Sequence, residues 1–251
     1  MKTVVITGAA SGMGLSATEL FLKNNWNVAM ADYNLELGQA KAEKLAQRYS
    51  DEQVKFFQTD VSDEKSVENL YQQTKASFDH ADVIINNAGI FTGGAIHEVK
   101  TSDWDRIMDI DVKSIYLMSK NFVPDMIKQK SGVILNTASV SGLMGDYNMA
   151  AYNAAKGAVV NLVRSMALDY GKYNIRANNI NPGPTNTPMF QQNPQEVIDQ
   201  FTQASPMRKL VEPEDIAQTM YFLASDGAKS ITGQNIPVTA GFGVWSSQPV
   251  Q

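Results

Sequence analysis

Tyr152 and Lys156 stand at i and i+4 in Tyr152-Asn153-Ala154-Ala155-Lys156, so a helix here stacks a phenol and an ammonium on one face. A phenol ordinarily titrates near ~10. It can exchange protons near neutrality only if its anion is stabilised by about 3–4 kcal/mol, and a neighbouring cation is the obvious source. Upstream, Ser139 follows an apolar run at 133–136, where its hydroxyl can donate to an oxygen that gains negative charge. A tyrosine and lysine at this spacing are commonly just a solvated pair. The serine beyond a strand end makes the set far more specific. There is no cysteine among the 251 residues, which excludes disulfide frameworks, thiol nucleophiles, zinc–thiolate sites and iron–sulfur clusters. The chemistry must use oxygen, nitrogen or a borrowed cofactor. His80 and His97 have no metal-ligand spacing, and no metal is expected.

A second group of residues is suited to phosphate. Thr7-Gly8-Ala9-Ala10-Ser11-Gly12-Met13-Gly14 is a glycine turn between an apolar run and an amphipathic stretch. Such glycines let the backbone turn tightly and approach a pyrophosphate, whose charge is met by the helix N-terminus. Asp32 follows at the end of the next apolar run, where an acid accepts hydrogen bonds from ribose hydroxyls and repels a 2′-phosphate. No lysine or arginine lies between Gly8 and Gly14, and Tyr33 and Asn34 follow Asp32. NAD is therefore expected rather than NADP. The competing reading of Asp32 is a structural acid closing a turn.

These residues require an alternating scaffold. Apolar runs at 4–6, 28–30, 54–57 and 83–85 are separated by amphipathic stretches, giving βαβαβαβ. Leu15, Leu20, Phe21 and Leu22 mark a helix that ends at Asn24-Asn25; a second spans 35–48, and a third spans 64–76 behind Ser62 as N-cap. The second half predicts a long helix over 102–130, a strand at 133–136, a helix over 152–170, and strands at 175–181 and 236–238. Pro124 should kink or interrupt the long helix near its end. The proline-rich stretch 182–213 reads as a loop with a short helix at 195–203, forming a substrate lid at about 184–212. Apolar strands buried on both faces imply a doubly wound parallel sheet, a three-layer, Rossmann-type α/β fold. No linker divides the chain, so residues 1–251 are expected to form one domain.

Composition narrows the partners. Hydrophobic residues make up 43% and charged residues 19% of the chain, and the net charge of −5 disfavours binding to nucleic acid. No leader pattern or membrane-spanning run is evident, and a cytoplasmic location is expected.

Taken in order, Thr7–Gly14, Asp32, Asp60-Val61, Asn86-Asn87-Ala88-Gly89, Ser139, Tyr152 with Lys156, and Pro182-Gly183 with Thr187 resemble a short-chain dehydrogenase/reductase of the classical type. The resemblance covers essentially the whole length. It implies reversible hydride transfer between a nicotinamide and a carbonyl or alcohol carbon. Tyr152 would be the general acid/base, Ser139 would polarise the substrate oxygen, and Lys156 would hold the nicotinamide ribose. The cofactor would lie against Gly8, Ser11, Gly12, Met13, Gly14, Asp32, Tyr33, Asp60, Val61, Asn87, Ala88, Gly89, Pro182, Gly183, Thr185 and Thr187. Asp60 would meet the adenine amino group, Asn87 would steady the sheet, and Thr187 would hold the carboxamide.

One position departs from the family pattern. Asp111 stands where the family usually has an asparagine that anchors a water leading from the lysine to solvent. An ionised aspartate cannot donate, and its charge should raise the pKa of Lys156 and alter the relay. Its removal is expected to change the pH–rate profile.

Substrate contacts are expected from Ser139, Val140, Ser141, Met144, Tyr147, Met149, Tyr152, Met189 and Phe190, which suit a largely apolar ketone or secondary alcohol. Alternatives are a polyol or sugar, using Ser141, Asp146 and Asn148, and a 3-oxoacyl carrier-protein reductase. A nucleotide-sensing scaffold with reduced catalysis is the non-enzyme alternative. The family habit implies a homotetramer. Apolar residues on the long helices (Trp104, Ile107, Ile110, Ile115, Tyr116, Leu117 and Met118, then Val159, Val160, Leu162, Val163, Met166 and Leu168) and the tail Gly241–Trp245 are its expected contacts.

Overall fold

Seven short strands that are apolar at successive positions must be covered on both sides, and helices provide that cover. In the computed structural model, which describes residues 1–244, the elements run β1 (Thr3–Thr7), α1 (Gly12–Lys23), β2 (Asn27–Asp32), α2 (Leu35–Arg48), β3 (Val54–Gln58), α3 (Glu64–Phe78) and β4 (Val83–Asn86). The chain continues through α4 (Thr101–Met108), α5 (Ser114–Gln129), β5 (Gly132–Thr137), α6 (Ala150–Tyr170), β6 (Ile175–Pro182), α7 (Gln195–Ala204), α8 (Pro213–Ala224) and β7 (Asn235–Val238). The strands form one sheet in the order β3-β2-β1-β4-β5-β6-β7, and every neighbouring pair is parallel. Alternate residues fill opposite layers. Val4, Ile6, Val28 and Met30 pack with residues of α1, α2 and α8, whereas Val5, Ala29, Ile84 and Ile134 pack with α3, α5 and α6.

Local chemistry explains most boundaries. Asn25 takes the left-handed conformation (φ 60°) just after α1, as its residue type allows. Asn34 caps α2 by accepting from the Leu37 amide. At α3 the cap is Asp63, whose side chain accepts from the Ser66 amide; the expected cap, Ser62, instead turns its hydroxyl to Asp60. The long helix is interrupted far from Pro124. A π-helical turn at Asp109–Lys113 separates α4 from α5, and α5 runs through Pro124 to Gln129, anchored by the buried Phe122, Val123 and Met126. Tertiary burial there outweighs the missing amide. Helix α8 is not among the elements the sequence predicts, and it starts where the 182–213 loop was expected to end. Pro213 in its first turn and a reciprocal Glu212/Asp215 capping box start it, and Ile216, Ala217, Met220 and Leu223 bury its inner face.

Most of the apolar residues expected at subunit contacts are used within the chain. Ile115, Leu117, Met118, Val159, Val160, Val163 and Met166 are buried because α5 and α6 pack on the sheet, and Ile107 of α4 packs with Ala151 and Ala155 of α6; Tyr116 and Leu168 remain exposed. Trp245 lies outside the described residues. No helix among the described residues is long and apolar enough to cross a membrane.

A row of amides fixes the register of half the sheet. Asn86, Asn136, Asn179 and Asn235 occupy paired positions on β4, β5, β6 and β7. Their side chains donate in sequence: Asn86 to Asn136 (2.8 Å), Asn136 to Asn179 (3.0 Å) and Asn179 to Asn235 (2.8 Å), with Asn235 reaching the Val160 carbonyl of α6 at 3.1 Å. Asn136 and Asn179 have no solvent exposure, so each amide depends on its neighbour. Asn136→Leu removes two of these bonds and is expected to cost about 3 kcal/mol, lowering Tm by roughly 6–12 °C. A thermal melt within about 2 °C of the parent would show that the row carries no such load.

Candidate active site

The strand order reverses between β1 and β4, and the turns leaving those strands open a crevice at the C-terminal edge of the sheet. Gly8 (φ 65°) and Gly12 (φ 50°) hold left-handed conformations that suit glycine. A Cβ on Gly14 would fall on the Gly8 carbonyl oxygen, so this turn closes only without a side chain. Ser11 begins α1 but makes no side-chain cap, leaving the first-turn amides unmet by that side chain. Asp32 ends β2. One carboxylate oxygen accepts from the Ala10 amide and the other from the Asn34 amide, both at 3.0 Å, leaving each with further acceptor capacity. The acid thus clasps the glycine turn and remains able to receive hydroxyls.

Other residues named from the sequence surround this turn. Thr7 Oγ1 accepts from the amides of Asn87 (2.9 Å) and Ala88 (3.0 Å), while Asn87 donates to the Thr7 carbonyl (3.1 Å) and accepts from Thr137 (3.2 Å). Asn87 therefore ties the ends of β1, β4 and β5. Asp60 is occupied by the Ser62 amide and hydroxyl, with Val61 buried beside it; Tyr33 is exposed and Met13 packs against the core. Thr187 has its methyl group 3.3 Å from the position a Cβ on Gly12 would take, and its hydroxyl accepts from the Phe190 amide. Gly183 bonds β7 through Val238, and the buried Thr185 donates to the Gly183 carbonyl. A side-chain-free cradle, open helix-terminal amides and an acid at the β2 end fit a nicotinamide dinucleotide.

Next to this cradle, β5 ends at Thr137 and a short turn at Val140–Gly142 leads away. Gly142 lets that turn lie on the backbone of α6, since a Cβ there would sit 2.5 Å from the Lys156 carbonyl. This contact brings Ser139 to the helix that carries Tyr152 and Lys156. The Ser139 carbonyl accepts from Asn181 (2.9 Å), and its Oγ accepts from the Ser141 amide (3.1 Å), leaving the hydroxyl proton free to donate. Lys156 is buried, with Nζ donating to the Thr137 carbonyl at 2.9 Å and lying 5.7 Å from the centre of the Tyr152 ring.

Asp111 lies within the π-helical turn, its side chain fully buried. One carboxylate oxygen accepts from the Ile90 amide at 2.8 Å, and the other is 2.9 Å from Lys156 Nζ. Gly89 leaves room for this ion pair, because a Cβ there would come within 3.0 Å of the carboxylate. Burial pulls the Lys156 ammonium toward deprotonation, but Asp111 and the nearby Tyr152 outweigh it and hold the lysine above its ordinary value. The direction is the one expected from the sequence.

The residues expected at the substrate differ in placement. Val140 and Ser141 are buried in the short turn; Met144, Tyr147 and Met189 are exposed, and Met149 and Phe190 are partly covered. Thr185 and Val211 form a bridge at the base of the 184–212 excursion. Above that base, Phe190 meets Phe201 of α7, which meets Phe242 near the C-terminus, with ring centres 5.5 and 5.8 Å apart. Phe91 and Phe201 were not anticipated from the sequence, and Phe242 was expected at a subunit contact but packs here against Phe201 of the same chain. Phe91 immediately follows the Asn86–Ile90 run and could have been noticed there, whereas the other two aromatics are joined only by folding.

A family pattern described as "Enoyl-(Acyl carrier protein) reductase" matches residues 8–243. The chain belongs to the short-chain dehydrogenase/reductase family. Meso-2,3-butanediol dehydrogenase of Serratia marcescens is 41% identical over 99% of this chain and 97% of its own. The crystal structure of a Brucella melitensis 3-ketoacyl-(acyl-carrier-protein) reductase with NADH superimposes with a TM-score of 0.87 at 31% identity, covering 96% and 97% of the two chains. ElxO with NADP bound gives 0.90 at 30% identity over 96% and 98%. This short-chain dehydrogenase/reductase is therefore a nicotinamide-dependent oxidoreductase that interconverts carbonyl and alcohol groups.

The buried pair has a pH signature. Because the folded-state pKa of Lys156 is raised, its stabilisation is complete below the ordinary lysine value of 10.5 and is lost as pH climbs through the raised value. Asp111→Asn leaves a buried ammonium without its counter-charge and is expected to cost about 3 kcal/mol at neutral pH. Urea unfolding of both proteins checks this: the gap should stay level from neutral to mildly alkaline pH and shrink beyond it. No gap at neutral pH would show that the pair contributes no net stability.

Proposed function

We propose that this enzyme is an NAD-dependent dehydrogenase for small, uncharged secondary alcohols and their ketones, working as one domain with 184–212 covering the substrate. The observation that carries the reading is the buried Lys156 ammonium beside the Tyr152 ring, at the helix against which the Ser139 turn is packed. The bound nicotinamide supplies the hydride acceptor or donor. In oxidation, Tyr152 Oη receives the proton of the substrate hydroxyl, and Ser139 Oγ donates to the same oxygen and orients it. In reduction the proton returns from Tyr152 while Ser139 stabilises the charge developing on the carbonyl oxygen. Lys156 would hold the cofactor ribose, and its buried ammonium lies beside the phenol ring. Asp111 fixes Lys156 and keeps it protonated.

Cofactor choice rests on Asp32. Its carboxylate suits ribose hydroxyls and repels a 2′-phosphate, with no basic residue in the glycine turn to offset it. ElxO with NADP bound shares the fold, so the fold by itself does not choose between the two cofactors. The absence of charged residues from 138–145 and 88–96 supports a neutral substrate, and a vicinal diol like that of the Serratia relative is a natural first test. The enzyme should oxidise butane-2,3-diol with NAD at least about 100-fold more efficiently than with NADP, and Tyr152→Phe should lose at least about 1,000-fold in kcat. Equal use of both cofactors would overturn the NAD assignment, and an active Tyr152→Phe would overturn the role of the phenol.

The exposed Tyr116 and Leu168, on the helices that the family pairs between subunits, support a homotetramer. Sedimentation equilibrium should give a mass well above the 27.5 kDa chain, and a purely monomeric species would rule the assembly out.

A further inference from the structure

Phe91 leaves the end of β4 and sets its ring against that of Tyr152, with centres 5.5 Å apart and planes at 65°. This edge-to-face contact covers one side of Phe91, yet the residue stays 49% exposed. A single exposed aromatic is ordinary, but the frame holding this one is not loose. Gly94, at φ 131°, bridges Met149: its amide donates to the Asn148 carbonyl at 2.7 Å, and its carbonyl accepts from the Ala150 amide at 3.2 Å. The loop carrying Phe91 is thus bolted to the segment that starts α6, the helix of Tyr152. The uncovered face therefore has a fixed position beside the phenol, and the loop residues 88–96 bring no charge to it.

We propose that Phe91 is a specificity-determining residue whose free face packs against the apolar arm of a substrate oxygenated at Tyr152. This rests on the assignment of Tyr152 above. Covering a half-exposed phenyl ring with an alkyl arm removes apolar surface from both, so the benefit grows with arm length until the ring is covered. A short arm gains little, and a charged arm loses its hydration with no partner.

The test compares butanone, hexanone and octanone as substrates for the NADH-loaded enzyme and its Phe91→Ala, Phe91→Leu and Phe91→Tyr variants. The same ketones are titrated calorimetrically into the protein saturated with NAD, so that binding selectivity is read whether or not turnover occurs. Absence of turnover in the parent enzyme counts against simple ketones as its substrates, while the binding ratio still decides the role of Phe91. In Phe91→Ala the preference for octanone over butanone should fall about tenfold, through KM and binding, with kcat for butanone within about threefold of the parent and an unchanged pH profile. Phe91→Leu should fall between, and Phe91→Tyr should keep the preference. An unchanged octanone-to-butanone ratio overturns the proposal, and so does an equal loss of kcat on every ketone with a shifted pH profile, which would make Phe91 a support for Tyr152. If Phe91→Ala fails to fold, the ratio in Phe91→Leu decides in the same way.

Discussion

The register of four neighbouring strands depends on the row of amides from Asn86 to Asn235. In a parallel sheet buried on both faces, a slip of one residue exchanges the two layers, and apolar residues alone resist this weakly because both layers are apolar. Asparagines at the same height, buried on β4, β5 and β6 and half-buried on β7, make each slip cost several unpaired amides. The functional loops leave these strands directly above that row: Asn87–Gly89 after β4, Ser139 after β5, and Gly183–Thr187 after β6. The positions of the reacting groups are set one layer below them.

The same economy of position governs the charges. Lys156 is buried and would be unfavourable as an ammonium by itself, but a π-helical turn carries Asp111 to within 2.9 Å of it. An extra residue in that turn rotates the aspartate relative to a continuous helix, and its second oxygen receives the Ile90 amide from the loop after β4. One carboxylate therefore links the loop lining the crevice to the helix that carries the phenol. Its charge brings the Lys156–Asp111 pair close to neutrality, so the site holds a cation near Tyr152 without a net buried charge.

Much of the sheet was legible because alternation between short apolar runs and amphipathic stretches is a local property; α2 was read with its observed ends. Helix α8 escaped notice because its signals, a proline and two acids, are also those of a loop. Pro124 was misread for a related reason: the proline penalty is local, while the burial of Phe122, Val123 and Met126 that outweighs it is not. The apolar residues of α5 and α6 were assigned partly to subunit contacts, and folding instead spends most of them on the sheet.

For chemistry, the amino-acid sequence determined the glycine cradle, the acid at the end of β2 and the i, i+4 pairing of Tyr152 with Lys156, because each depends on residue type and short spacing. Only the tertiary structure decided that Asp111, expected to act on Lys156, would reach it as a direct ion pair, that four asparagines would align, and that Phe91 would meet Tyr152 edge to face. Those contacts join residues from separate elements. Their geometry follows from strand order and register, which nearby residues in the chain do not encode.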